Sequence, residues 1–204
     1  MNTEQHETKR GYHFTADKLR NGDPIPAIGE WISVSGPVIP CKSGLHMSEH
    51  PYDALRYSPG CKLHLVEIRV DIQSHGDPVD KWVGRERRII ATIDATAVLR
   101  VWGRWCALEV AHLWDCPDIV RRYLETGDES IRAEAWAEAL AAWEPTNAAG
   151  SAVWAAYRAA SGDASNAALA ASNAASDAGL AAFDAKREKL QTLVNEEFKK
   201  ELSK

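Results

Sequence analysis

Several classes of protein are excluded by what this sequence lacks. No apolar run approaches the ~18 residues that a membrane-spanning helix requires. Twenty-four Lys and Arg stand against 29 Asp and Glu, a net charge of −5. That balance offers no general attraction to nucleic acid or to an anionic membrane surface. There are four cysteines (Cys41, Cys61, Cys106, Cys116), not spaced as a disulfide framework, and the polar start Met1–Arg10 is unlike a signal peptide. Reduced thiols and a cytoplasmic location are therefore expected. No G-x-G-x-x-G or G-x4-G-K-[S/T] loop is present to cradle phosphate, and no G-x-S-x-G elbow to hold a serine nucleophile.

What is present is divided along the chain. All seven His and all four Cys precede Pro117, whereas Ala makes up 24 of the 55 residues from Ile131 to Ala185. Imidazole and thiol chemistry is thus confined to the first half, and the second half is expected to be architecture or an interaction surface. The expected fold is α+β. A flexible stretch, 1–9, leads into an α+β module with a small antiparallel or mixed sheet over 10–94. A helical region over 95–144 and an Ala-rich helical extension over 145–204 follow.

Within the module, Gly11–Thr15 reads as a first strand, and Trp31–Ser35 alternates as a second. Ser48 is expected to cap a short helix running to Tyr57. The clearest strand is Lys62–Ile72. His64, Val66, Ile68, Val70 and Ile72 share its apolar face, and Leu63, Leu65, Glu67, Arg69 and Asp71 share the other, where Glu67 would be solvated. A further strand is expected around Arg88–Ile93, joined to the previous one by a polar link, Gln73–Asp80. Beyond Asp94 the period becomes helical, with Val98, Trp102, Trp105, Val110 and Leu113 on one face. Pro117 opens the next helix, capped by Asp115 or Cys116, and Gly127 ends it. Asp128 caps another, whose Ile131, Ala135, Trp136 and Leu140 fall on one stripe.

Ala-Ala doublets begin at Ala148, Ala159, Ala170 and Ala181, a period of eleven. Eleven residues make three helical turns at ~3.67 per turn, so the doublets stay on one face of a straight helix. This favours close-packed helical rods within the chain or between copies, with a break at Ser161-Gly162-Asp163. Disorder outside a complex is the rival reading. Lys186–Lys204 is expected to be a charged amphipathic helix carrying Leu190, Leu193, Val194 and Phe198.

Candidate chemistry is therefore sought in the first half. Cys41, His46, His50, Cys61 and His64 are all possible zinc ligands, but they include no C-x2-C pair, and His46 and His50 straddle a probable cap and Pro51. No metal is expected. Lys81, Arg85, Arg87 and Arg88 beside Trp82 form a basic cluster, diluted by Asp80 and Glu86, which reads as a solvated strand edge.

Two resemblances extend this reading. His13-Phe14-Thr15 on a first strand, Gly44-Leu-His-Met-Ser48 followed by a helix to Tyr57, and a later carboxylate resemble the ADP-ribosyltransferase group. That resemblance implies that His13, Thr15, Ser48 and Tyr57 bind NAD and that Glu86 or Glu67 is catalytic. A carboxylate there would stabilise positive charge developing at an anomeric carbon. Over a longer stretch, Gly44-Leu-His-Met-Ser48, Asp53-Ala-Leu-Arg-Tyr57, Pro59-Gly60, Val66-Glu67, Asp80-Lys81 and Arg85-Glu-Arg87 resemble a domain family of phage and prophage proteins. Pro117–Arg121, Tyr123–Ser130 and the Ala-rich tail continue that match. It implies an accessory protein of a mobile element acting in the host cytoplasm.

The leading expectation is thus a non-enzymatic phage-type accessory protein without a cofactor. It would bind a host protein or complex, such as a component of bacterial defence, through Trp136, Trp143, Trp154 and Tyr157, Trp being enriched at binding hot spots. The alternative is an NAD-dependent ADP-ribosyltransferase-like enzyme, and a second alternative is a self-assembling homo-oligomer.

Overall fold

A computed structural model of the chain describes residues 7–142 and 180–204, the last stretch from Asp184 onward with its side chains. It shows antiparallel sheets in the N-terminal half and helices after them, an α+β arrangement. The chain divides into two compact units, Met1–Ala95 with Val194–Lys204, and Thr96–Leu193.

The first unit holds two sheets. One has four strands in the order β1 (Thr8–Thr15), β4 (Lys62–Arg69), β7 (Glu86–Asp94) and β2 (Trp31–Ser33). The other has three, β3 (Leu45–Met47), β6 (Lys81–Gly84) and β5 (Gln73–His75). All pairings between named strands are antiparallel. The alternation expected of Lys62–Ile72 holds along β4, but the strand stops at Arg69. Val70 and Asp71 take left-handed backbone conformations, φ 62° and 52°, which no regular strand accommodates. The polar link Gln73–Asp80 contains β5.

Cross-strand register assigns the faces. Thr15 lies opposite Lys62, His13 opposite His64 and Gly11 opposite Val66. Those residues share one face with Ile68, which is opposite Arg87 on β7. Buried Met47 of β3 joins Val66, Ile68 and Ile89 in an apolar cluster beneath that face. The other face carries Phe14, Leu63, Ala91 and Ile93, all buried. There Tyr12 meets Phe198 of the last helix, with ring centroids 6.1 Å apart, and donates from its hydroxyl to Asn195 Oδ1 at 3.0 Å.

Two local features tie β1 to the second sheet. Tyr12 and Ser48 exchange both backbone hydrogen bonds, at 2.7 and 3.0 Å. This close approach requires Gly11, because a Cβ there would run into the Ser48 carbonyl and the Met47 sulfur. Ser48 is consequently not the cap that the sequence predicts. The short helix α1 (Pro51–Leu55) starts after His50, which makes no side-chain cap, and ends before Tyr57. Ser48 instead belongs to the sheet contact.

The second unit comprises α2 (Thr96–Glu109), a 3-10 turn (Ala111–Leu113), α3 (Asp118–Thr126), α4 (Arg132–Ala141) and the last helix, α5 (Leu180–Leu202), as far as Leu193. Trp102 is fully buried and donates from Nε1 to the Lys186 carbonyl at 3.1 Å. Val98 and Val110 are buried as expected, but Leu113 is exposed because α2 ends at Glu109. Pro117 is itself the cap of α3, in place of Asp115 or Cys116. Gly127 ends that helix as expected, at φ 66°, with its N–H donating to the Tyr123 carbonyl at 2.8 Å.

The stripe expected on α4 is displaced. Ala135 and Ala139 are buried, whereas Trp136 and Leu140 are 39% and 41% exposed. Asp128 caps nothing there; Ile131 is the cap, and Asp128 Oδ1 takes the Ser130 N–H and hydroxyl. Small residues meet the core because they let α4 lie close to α3. Along α5, Leu190, Val194 and Phe198 are buried as the amphipathic pattern predicts, and the helix begins earlier than expected, at Leu180. The Ala doublets at Ala148, Ala159 and Ala170, the Ser161-Gly162-Asp163 break and Trp143, Trp154 and Tyr157 lie outside the described residues, and the doublet at Ala181 falls in α5.

Candidate functional site

A cavity of about 570 Å3 opens in the first unit, within the size range of small-molecule sites. Its walls come from β1, the turn carrying Cys41, β3, α1 and the ends of β6 and β7. His13, Thr15, Ser48 and Tyr57, separated by up to 44 positions in the chain, all line it. The pairing of β1 with Ser48 brings them together. Cys41, His46, Lys81, Arg20 and Arg87 line it too.

Arg87 reaches the cavity through an irregularity. Leu65 pairs with Ala91 but Val66 pairs with Ile89, so Ile90 is an extra residue in β7. Such a bulge reverses the facing of everything beyond it. Thr92 and Arg87, one even and one odd, therefore share the cavity face. Arg87 is 5% exposed, its guanidinium donates to the His46 carbonyl at 2.6 Å, and it makes no ion pair among the described residues. Burial pushes it down to about 10.

The other cations are also without carboxylate partners among the described residues. Lys81 Nζ lies 3.6 Å over the Tyr57 ring and 3.3 Å from Cys41 Sγ. Arg20 donates to the Tyr57 carbonyl at 3.0 Å. No Asp or Glu is among the lining residues. His13 makes no side-chain hydrogen bond among the described residues and is held well below its ordinary value, by burial first and then by Arg87 and its imidazole neighbours. His46 is lowered by burial, Lys81 and Arg87, and its Nε2 accepts the Cys41 N–H at 3.2 Å. Both imidazoles are neutral near pH 7. The Tyr57 hydroxyl donates to Asp80 Oδ2 at 2.7 Å and is raised to about 12 by burial and that bond.

Thr15 is fixed from behind. Its Oγ1 donates to the Ala16 carbonyl at 2.9 Å and meets His64 Nε2 at 2.8 Å, while His64 Nδ1 meets Thr92 Oγ1 at 2.8 Å. With the Thr15 proton spent on Ala16, Nε2 is the donor and Nδ1 accepts from Thr92. Burial, Arg87 and Lys62 lower His64 to about 4, so the ring is neutral and structural.

The two carboxylates do not join this group. Glu67 pairs across β4 with Arg10 on one side and Arg88 on the other, the face away from His13. It is 4% exposed, not solvated as the sequence suggested. Arg88 Nε donates to its Oε2 at 2.8 Å, and Arg10 Nε lies 3.3 Å from Oε1. Burial alone would raise its pKa, but the hydrogen bonds and charges of Arg88 and Arg10 outweigh burial and lower it. Glu86 faces Arg69 and pairs with it at 2.5 Å. The Trp31 ring lies beneath Arg69 and Arg88, at 4.0 and 4.8 Å.

Among the described residues, no three His, Cys, Asp or Glu come together to hold a metal. Cys41 Sγ is engaged by Lys81, His64 by two threonines, His50 stands at the start of α1, and Cys61 precedes β4. Sequence reading placed Lys81 and Arg87 with Arg85 and Arg88 in a solvated basic cluster, whereas both are buried at the cavity, and it missed Arg20 beside them. A hint was available in Arg87-Arg88, where neighbouring strand residues must face opposite ways.

The fold and cavity define an α+β module with a cation-lined cavity, followed by helices. Residues 9–101, the stretch containing all seven strands except the first residue of β1, match the family model described as a domain of unknown function, DUF7666. No curated protein and no solved structure matches the chain. No helix among the described residues is long and apolar enough to cross a membrane.

Proposed function

We propose that the first unit binds an anionic nucleotide of the NAD type in this cavity. The observation that carries the reading is buried Arg87, whose guanidinium has one backbone acceptor and no counter-ion among the described residues. Removing a charge from water without a partner is costly, and an anionic ligand offsets that cost. Lys81 and Arg20 add two further cations, and His13, Thr15 and Ser48 supply neutral polar groups for hydroxyls. A diphosphate flanked by riboses matches that distribution of charge and neutral donors. The residues fit the ligand but not a transferase step, since Glu67 and Glu86 occupy the opposite face of the sheet. The module therefore acts as a receptor for the nucleotide.

The test is calorimetry with NAD, ADP-ribose and adenosine on the full chain. The two anionic ligands should bind and adenosine should bind far more weakly. Absence of binding by both anionic nucleotides would remove this reading.

A second reading, a phage-type accessory protein docking on a host protein, is supported by Trp136 and Leu140. Both are exposed one turn apart on α4. Capture of one specific protein from a bacterial lysate, lost in Trp136→Ala, would favour it. Unaltered capture would count against α4 as the docking face.

A further inference from the structure

The cavity also carries a thiol. Cys41 sits at the tip of a tight turn in which Ile39 and Ser43 exchange backbone hydrogen bonds, both at 2.9 Å. Its backbone is left-handed, φ 62°, a conformation that costs energy for any side-chain-bearing residue and that collects at functional sites. The His46 ring holds its N–H, and Lys81 Nζ donates to its sulfur. The residue is exposed and the sulfur is free. Independently of the thiol, the same cavity presents Arg87, which is 5% exposed and has no carboxylate partner among the described residues.

We infer that Cys41 is a modification site, thiolated by small disulfides that carry carboxylates, such as glutathione disulfide. The cations gather the anionic disulfide at the cavity mouth. The Cys41 thiol loses its proton to solvent, and the thiolate attacks one sulfur of the disulfide along its S–S axis. The new S–S bond joins Cys41 to one half, the old bond breaks, and the other half leaves as a thiolate that takes up a proton. One disulfide is consumed and one is formed, so no outside oxidant enters. The Lys81 ammonium stabilises negative charge on sulfur as the exchange proceeds. A peptide-sized adduct on Cys41 fills the cavity and closes it to any other ligand. The inference uses the same cations as the nucleotide reading but requires no nucleotide to bind.

The experiment compares glutathione disulfide, which is anionic, with cystamine, which is cationic, on the full chain. Site-resolved mass spectrometry reads the rate at each cysteine, and each rate is divided by that in urea to remove intrinsic reactivity. Native Cys41 should favour the anionic reagent by about tenfold or more, as expected for steering into a cleft of opposite charge. Lys81→Met should reduce that preference, and Cys41→Ser should leave the native protein unlabelled by glutathione disulfide. If Lys81→Met does not fold, raising salt to ~1 M on the wild type must erase the preference instead. Equal normalised rates for the two reagents would overturn the inference. So would faster labelling of Cys61 than Cys41, or a preference unmoved by Lys81→Met or, where that variant does not fold, by salt. A loss of NAD binding after thiolation would link the two sites, whereas thiolation without any NAD binding would leave this inference standing and the nucleotide reading refuted.

Discussion

Replacing Arg87 by Met should move stability and ligand binding in opposite directions. In the free protein Arg87 is 5% exposed and lacks a counter-ion among the described residues. Its pKa falls from 12.5 to about 10, a drop that corresponds to roughly 3 kcal/mol of cost for keeping the charge in the folded state. The hydrogen bond to the His46 carbonyl returns roughly 2–3 kcal/mol, as charge-assisted bonds do. Met keeps most of the apolar stem and carries no charge. The net change is therefore near zero to about 1 kcal/mol in favour of the variant, where truncation of a well-paired buried charge would cost ~3–5 kcal/mol. Urea unfolding at pH 7 measures the first quantity, and calorimetry with ADP-ribose measures the second. Loss of one charge-assisted contact should weaken binding by about 10- to 100-fold. A variant destabilised by more than about 2 kcal/mol, or one that binds ADP-ribose as tightly as the wild type, would refute the reasoning that Arg87 awaits an anion.

The acid limb of stability should separate into two windows. His64 has a folded pKa of about 4 against an ordinary 6.5, so the unfolded chain binds its proton more readily. Its contribution is complete above pH ~6.5 and falls away by roughly 3 kcal/mol as pH drops toward 4. His64→Gln should flatten that part of the curve in pH-dependent denaturation. Glu67 is lowered from 4.5, so its contribution is present above that value and is lost as pH falls through its folded value. Glu67→Gln should flatten only the more acidic window and should leave nucleotide affinity unchanged, because Glu67 stands on the other face. Gly11→Ala forces a Cβ against the Ser48 carbonyl and the Met47 sulfur and disrupts two backbone hydrogen bonds. A loss of about 2–4 kcal/mol is expected in denaturant titration, and a loss under 1 kcal/mol would mean that β1 and Ser48 do not approach so closely.

Part of the fold was legible because strand alternation and a glycine helix stop are local. The faces of β4 followed from the spacing of His64, Val66 and Ile68, and the end of α3 from Gly127, a residue that adopts φ 66° at little cost. His13, Thr15, Ser48 and Tyr57 were grouped through a resemblance in motif order, and they do share one cavity. The assignment of Glu67 as a solvated charge went astray because solvation is not a property of one strand. Arg10 and Arg88 lie directly across from it, and only the pairing of β1 and β7 with β4 brings them there. On α4 the larger Trp136 and Leu140 drew the expectation of a core stripe, yet the neighbouring helix admits only Ala135 and Ala139.

By itself, then, the sequence determined the facing along β4, the end of α3 at Gly127 and the confinement of thiol and imidazole to the first half. These are short-range matters of backbone geometry and residue chemistry. Tertiary structure decided which charges meet. One unpaired residue, Ile90, turns Arg87 into the cavity while Arg88 goes to Glu67, and no local pattern announces a bulge whose position depends on the partner strand.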